Sequence, residues 1–497
     1  MTGKPFVKKF ATGSFFYIYD VNSSEIIRVN KRIYDLIDEI SGSDINVIID
    51  NYKHLYPAEE IKNSIIEIED AQCQHQLFST HRPVISSGYQ SVECVRKALE
   101  HNLSQVILEV TTRCNMRCKY CEFSRRGSVY NNHGDVDMSP WIAFKAVEYF
   151  LANSSAKAGK APPAITFYGG EPVLRFDLIK DILEFTKKRG LADKLHFNLT
   201  TNGTLLTEEI IKLFVDFNVS ILLSLDGPRS ITDRFRVFPG DRGAFDSISS
   251  SLKKIKRNYP SYFKDKISIN AVLSPPYPYD SVISFFSDQK LFEPILERIS
   301  INLVDENEID FSRTPDLKKN RDKPDEGLKK MLERYKRSLI QGRYDQLTLE
   351  KSFFLEDFYT ISRRKLIPLK SQFPPKGTCL PCQRRLFVST KGKFYMCEKV
   401  GTNYEIGDVE RGVDFDKVFG FLNAYDEFFQ GCGNCWALRL CKKCFNDVRR
   451  GDRLDEGRKK EFCKVMLHNI EANLITYCEI MEENPDAFDV FKNVMMT

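Results

Sequence analysis

Long apolar runs are missing from this chain of 497 residues: none approaches the ~18 residues of a membrane-spanning helix, and the start, Met-Thr-Gly-Lys-Pro-Phe, has no secretory apolar segment. These absences predict a cytoplasmic protein with no membrane partner. Excess charge of one sign is missing as well. Lysine and arginine total 73 against 68 acidic residues, and the net charge of +5 gives little reason to expect nucleic acid. What the chain does have is cysteine, 14 in all, on an apolar share of 42% that is ordinary for a globular protein. In a reducing compartment so many cysteines suit metal sites better than disulfides. The length suggests roughly three domains.

Three of the cysteines, Cys114, Cys118 and Cys121, fall in the stretch Thr111–Cys121, directly after the apolar run Val106–Val110. They are expected on a loop at the C-terminal end of a strand. A zinc loop or a set of buried thiols would normally supply a fourth cysteine or histidine at metal spacing, and none follows. Three thiolates can instead hold three irons of a [4Fe–4S] cubane and leave the fourth iron without a protein ligand.

The spacing C-x3-C-x2-C, with Tyr120 before the last cysteine, resembles the signature of the radical S-adenosylmethionine (SAM) enzymes. The resemblance implies that Cys114, Cys118 and Cys121 are catalytic as cluster ligands, and that the open iron chelates the amino and carboxylate groups of SAM.

From residue 105 onward the chain alternates. Apolar runs at 106–111, 164–168, 195–200, 219–225, 267–273 and 298–304 are separated by helical spacings at 139–152, 176–189, 207–217, 243–257 and 280–289. The pattern predicts an α/β class with a parallel sheet curled into a partial, TIM-like (β/α)6 barrel, whose ligand sites gather at the C-terminal strand ends. Those ends carry Tyr168-Gly169-Gly170-Glu171-Pro172, Thr200-Thr201-Asn202-Gly203 and Ser224-Leu225-Asp226-Gly227-Pro228. Glycines 169 and 170 would let the backbone approach a ligand. By the family resemblance, Gly169, Gly170 and Glu171 meet the SAM amino group, the backbone at Tyr120 meets adenine, and Ser224 and Arg236 hold ribose and the methionyl carboxylate. Thr201, Asn202 and Asp226 join them as cofactor-binding candidates. A guanidinium fork suits a carboxylate, although Arg236 could also be an ordinary ion pair.

Eight further cysteines form a second system: Cys379, Cys382, Cys397, Cys432, Cys435, Cys441, Cys444 and Cys463. Residues 385–388 and 393–396 read as a hairpin within it. Eight ligands make two sets of four, which spacing alone would allow as two zinc ribbons. The order of the cysteines resembles the SPASM extension of radical SAM peptide maturases. That resemblance implies two auxiliary [4Fe–4S] clusters, an inner one on Cys379, Cys382, Cys397 and Cys444 and an outer one on Cys432, Cys435, Cys441 and Cys463. The remaining three, Cys73, Cys94 and Cys478, are expected to be ordinary apolar side chains.

Residues 1–80 show three strand-like runs followed by three helical stretches. This small α+β, winged-helix-like order is similar to the elements that recognise precursor peptides by adding the leader as an extra strand, although it would also serve as an N-terminal cap on the barrel. The expected organisation is a recognition domain at 1–80, a connector at 81–104, the barrel at 105–304, a linker with helices at 305–370, the SPASM domain at 371–470 and a C-terminal helix at 471–497. The resemblance implies three [4Fe–4S] clusters, SAM, and a one-electron reductant such as flavodoxin or ferredoxin. It also implies modification of a ribosomally synthesised precursor peptide through a 5′-deoxyadenosyl radical. A Cys-sulfur-to-carbon thioether of the sactipeptide or ranthipeptide kind is the expected product. A carbon–carbon crosslink, formylglycine formation of the anaerobic sulfatase-maturing kind, and a zinc-stabilised binding protein are the alternatives.

Overall fold

Tyrosine, phenylalanine and isoleucine alternate through the first thirty residues, and in the computed structural model they form an antiparallel meander of β1 (Val7–Ala11), β2 (Phe16–Asp20) and β3 (Ile26–Val29). Residues 3–40, 44–121, 134–154, 162–275, 277–304, 326–347, 349–375, 379, 383–400, 404–450 and 453–494 are described. The buried Asp20 closes the β2–β3 turn by accepting from the Asn22 amide at 2.9 Å and reaches across to the Phe78 amide at 3.0 Å. Helices α1 (Lys31–Leu36), α2 (Ile45–Tyr52) and α3 (Ala58–His75) follow, with Asn30 and Asp44 capping the first two. The first helix stops four residues before the expected Ile40, and turns take its place. Ile18, Ile33, Ile37, Ile68 and Phe78 form a small core inside this unit.

The stretch expected as a plain connector holds structure of its own, β4 (Val84–Ile85) and α4 (Val92–Leu99). Then come β5 (Gln105–Thr111), α5 (Pro140–Asn153), β6 (Ala164–Gly169), α6 (Phe176–Lys188), β7 (His196–Thr201), α7 (Glu208–Asp216) and β8 (Ser220–Ser224). The alternation ends with α8 (Arg229–Phe235), α9 (Phe245–Asn258), α10 (Pro260–Lys266), β9 (Ile267–Leu273), α11 (Tyr279–Asp288) and β10 (Ile299–Leu303). Strands β5 to β10 pair in parallel in chain order, and their inward residues, among them Val106, Leu108, Ile165, Phe167, Leu199, Leu223 and Ile269, are fully or nearly fully buried. This is the partial barrel that the apolar runs predict.

Helices α12 (Glu326–Ile340) and α13 (Lys351–Ser362) lead to the cysteine-rich region. There β11 (Gln372–Phe373) pairs with β4, and the expected hairpin forms as β12 (Arg385–Val388) and β13 (Lys393–Tyr395). The hairpin continues the barrel sheet. β12 lies parallel to β5, with Arg385 opposite Gln105 and Val388 opposite Leu108, and β14 (Glu405–Asp408) and β15 (Gly412–Val413) complete ten strands. The carboxylate of Glu109, itself buried, fixes the junction by accepting from the Thr390 amide at 3.0 Å.

Helix α14 (Phe415–Phe428), the short pair β16 (Arg449–Arg450) and β17 (Arg453–Leu454), and the long helix α15 (Glu456–Glu483) close the fold. The C-terminal helix thus begins well before residue 471, so that Cys463 sits on it. No described helix is long and apolar enough to cross a membrane.

The N-terminal unit packs on this C-terminal region. Thr12 and Tyr17 donate to Glu482 on α15 at 2.7 and 2.9 Å, and Lys8 pairs with Glu471 at 2.8 Å. Arg439 binds the carbonyls of Asn22, Ile367 and Lys365 at 2.9, 2.8 and 2.7 Å.

Candidate active site

A cleft of about 510 Å³ opens at the C-terminal ends of the barrel strands, and Cys114, Cys118, Cys121, Tyr120, Gly169, Gly170, Thr201, Asn202, Ser224 and Arg236 all line it. Its floor is the cysteine loop, which the sequence holds in place several times over. Arg113 grips Asp137 with two hydrogen bonds, 2.9 Å from Nε and 2.7 Å from Nη2, and the Thr111 hydroxyl donates to the same carboxylate at 2.6 Å. On the other side the Arg117 and Lys119 amides donate to the carbonyls of Val237 and Phe235 at 2.7 and 2.9 Å.

The glycine pair answers to this loop more than to a ligand. The Gly170 amide donates to the Thr111 carbonyl at 2.9 Å and the Glu171 amide to the Arg113 carbonyl at 2.8 Å. A Cβ on Gly169, at φ +128°, would stand 2.1 Å from the Thr111 carbonyl oxygen, and one on Gly170 would stand 2.1 Å from that of Arg113. Only glycine lets β6 close against the cysteine loop.

Two of the cofactor-binding candidates point their side chains elsewhere. The Glu171 carboxylate is completely buried. It accepts from the Thr201 hydroxyl at 2.7 Å, the Asn202 amide at 2.8 Å and the Val173 amide at 3.1 Å. Burial pushes its carboxyl up to about 7, against three donors that favour the charged form. Asp226 is equally buried, and accepts from the Tyr120 hydroxyl at 2.6 Å and the Val272 amide at 3.0 Å. Both carboxylates bind the protein itself, and the residues they hold are the ones that face the cleft.

Arg236 is one of those. Its Nε lies 3.0 Å from Asp226 Oδ1 as an ion pair, yet this N–H is not aligned on any hydrogen-bond acceptor. Burial opposes the charge, but Asp226, Tyr120 and Cys118 beside it hold the guanidinium protonated above its ordinary range. The Tyr120 ring packs on Phe235, and burial drives its phenol well above the usual value.

Residues given no role by the sequence brace and complete the cleft. The Asn202 amide donates to Asn115 Oδ1 at 2.9 Å while Asn115 donates to the Thr204 hydroxyl at 2.9 Å, locking the cysteine loop to the end of β7. Asn302 donates to Asn270 at 2.6 Å on the far wall, and the exposed Lys399 completes the rim from the cysteine-rich region. Asn115, Thr204, Asn270, Asn302 and Lys399 carried no spacing signal, since single polar residues acquire meaning only from what the fold sets beside them.

Lys399 also joins the first cysteine set to the second. It follows Cys397 by two residues, and its charge is felt at Cys444. Cys397 neighbours Cys444, and Cys444 in turn neighbours Cys379, while Cys382 lies outside the described residues. Cys432, Cys435, Cys441 and Cys463 surround a separate cavity of about 300 Å³. Among the described residues no three cysteine, histidine, aspartate or glutamate side chains converge at single-ion distance. Burial pushes the thiols of Cys114, Cys118 and Cys397 up to about 12 and that of Cys435 to about 11, so metal loading must displace their protons. Of the three remaining cysteines only Cys478 is buried. Cys73 and Cys94 are exposed, contrary to the apolar role expected of them, because each lies on the outer face of its helix.

Residues 108–287 match the model of the radical SAM superfamily. The barrel is a radical SAM domain. The chain resembles the cysteine-type anaerobic sulfatase-maturating enzyme of Clostridium novyi, with 23% identity over 395 residues that cover 76% of this chain and 97% of that protein. It shares 27% identity with the radical SAM cyclopropyl synthase TigE of Paramaledivibacter caminithermalis, over 50% of this chain and 48% of the relative. The structure of native anSMEcpe with bound AdoMet and Cp18Cys peptide superposes with a TM-score of 0.53 at 18% identity, covering 79% of this chain and 99% of that one. A radical SAM domain implies a [4Fe–4S] cluster and SAM. The cleft fits them through the three thiols and the buried guanidinium that line it.

Proposed function

We propose that this radical SAM enzyme is a maturase that installs Cys-sulfur-to-carbon thioethers in a ribosomally synthesised precursor peptide. One observation carries the reading: the inner cysteine set abuts the cleft, since Lys399, which lines the cleft, follows Cys397 by two residues after β13. Oxidative crosslinking needs an exit for an electron beside the reacting carbon, and an auxiliary cluster on Cys379, Cys382, Cys397 and Cys444 would stand at the cleft wall. The bound cluster and SAM supply one-electron cleavage of SAM and hydrogen removal from a substrate carbon.

The chain's own residues orient these groups. Arg236 would hold the methionyl carboxylate, Ser224 the ribose, the Tyr120 backbone adenine, and the Gly169–Gly170 backbone the amino group. Glu171, Thr201 and Asp226 act as positioning residues beneath them. Asn202, bonded to Asn115, holds the cluster loop in register with β7. A flavodoxin or ferredoxin would supply the starting electron.

A peptide substrate is supported by the N-terminal unit, in which β3 pairs with β2 alone among the described strands and so offers an edge to an added strand. It is supported also by the peptide held in the superposed anSMEcpe structure. The similarity to the Clostridium novyi sulfatase-maturating enzyme over almost that protein's whole length favours a second reading, formylglycine formation.

Incubation with the precursor, SAM and a reductant, followed by mass spectrometry with thiol alkylation, separates the outcomes. A thioether removes two hydrogens and leaves a cysteine that resists alkylation. A carbon–carbon link keeps the thiol free, and formylglycine loses the sulfur. Either of the last two results overturns the proposed product.

A further inference from the structure

Lys443 is a buried cation without a counter-ion. Its side chain lies between Cys441 and Cys444 in sequence and is 2% exposed. Nζ is 3.9 Å from Cys432 Sγ and 3.7 Å from the centre of the Phe429 ring. Among the described residues no carboxylate pairs with it. Its neighbour Lys442 differs in this respect, since Asp357 takes that charge at 2.6 Å. So does Lys459, across the same cavity, which donates to the Phe428 carbonyl at 2.5 Å and pairs with Glu456 at 3.2 Å.

An ammonium withdrawn from water and left unpaired costs several kcal/mol, and the Phe429 face recovers only part of that. The compensating anion has to be in the cavity that Lys443 faces. Cys432, Cys435, Cys441 and Cys463 line that cavity with it. Four neutral thiols would leave the charge uncompensated. Four thiolates on a [4Fe–4S] cluster, net negative in both redox states, would compensate it.

We propose that Lys443 raises the reduction potential of the outer auxiliary cluster and so makes it the better electron acceptor. The proposal rests on the reading that Cys432, Cys435, Cys441 and Cys463 hold that cluster. The physical reason is direct: reduction adds a negative charge, and a fixed positive charge with an N–H aimed at a ligand sulfur stabilises the reduced form more than the oxidised one. Of the other two lysines that line the cavity, Lys459 is paired with Glu456 and Lys460 is exposed, so neither is a buried, uncommitted cation.

The test is a redox titration followed by electron paramagnetic resonance on the full chain, reconstituted anaerobically. A Cys114→Ala, Cys118→Ala, Cys121→Ala background removes the SAM-binding cluster so that only the auxiliary signals remain. In Lys443→Met one of the two auxiliary midpoints should fall by at least a tenfold change in the one-electron equilibrium, 59 mV, while the other stays in place. Lys443→Arg, which keeps charge and donor, should stay near the unmodified protein.

Lys443→Gln keeps a donor without the charge and provides a second reading should the methionine variant lose iron; its midpoint should fall likewise. Unmoved midpoints in the neutral variants, or an arginine variant that falls as far as the methionine one, overturn the proposal. A Cys435→Ala, Cys441→Ala protein that retains its full iron content would sink the outer cluster itself. That result is distinguishable from an unmoved midpoint with the iron intact.

Discussion

At the scale of single residues, two buried carboxylates do the organising and one buried guanidinium faces the cleft. Glu171 ties the turn after β6 to the end of β7 through Val173, Thr201 and Asn202. Glu171→Gln would turn an amide N–H₂ on at least one of these donors and strand it, so thermal unfolding should show a loss of about 1–3 kcal/mol. The carboxyl is held up to about 7 against an ordinary 4.5, so the folded state binds the extra proton between those values. The native contribution is therefore complete below about 4.5 and is lost as pH rises through about 7. The stability gap between the protein and Glu171→Gln should accordingly narrow over that window.

Asp226→Asn would leave Arg236 buried without its counter-charge. Chemical denaturation should register about 3 kcal/mol of lost stability, and calorimetry a weaker grip on SAM. Arg236→Lys keeps the charge but not the fork, and its SAM dissociation constant should rise about tenfold, ~1.4 kcal/mol. The roles of these two carboxylates were not legible in the sequence. Cys114, Cys118 and Cys121 announce themselves by spacing, but the inward turn of Glu171 and Asp226 depends on donors from Thr201, Asn202, Tyr120 and Val272, which other strands deliver.

At the scale of elements, the glycine pair fixes how close β6 comes to the cysteine loop. Gly170→Ala would drive a Cβ into the Arg113 carbonyl, and because both sides of that contact are backbone, the loop itself must shift. We expect the reconstituted variant to lose about four irons per chain and most SAM cleavage while its circular dichroism stays close to native. Full iron content in this variant would contradict the contact.

The alternation of β5 to β10 with helices was legible because parallel strands buried on both faces read as short apolar runs. The pairing of β12 with β5 was not. Nearly three hundred residues separate the partners, and no local pattern carries register over that distance. For the same reason β4, only two residues long and stabilised by β11, passed for connector.

At the scale of the whole molecule, one sheet runs from the SAM cleft into the cysteine-rich region, and the N-terminal unit docks on the far side of that region through Arg439, Glu471 and Glu482. Arg439→Ala would release carbonyls from two separate segments at once. Limited proteolysis should then cut ahead of residue 80 or near residue 366 faster than in the unmodified protein, with iron content unchanged. The composition of the N-terminal unit made its strands and helices readable, but its docking face depends on contacts with α15 that no stretch of sequence displays.

Three cysteine sets, one open to the cleft and two beyond it, are proposed here to hold iron–sulfur clusters. Iron and sulfide analysis of the anaerobically reconstituted full chain tests this most directly. About twelve irons per chain are expected, falling to about eight in the Cys114→Ala, Cys118→Ala, Cys121→Ala variant with loss of SAM cleavage. A colourless protein that holds zinc, or a triple variant that still cleaves SAM, would contradict it.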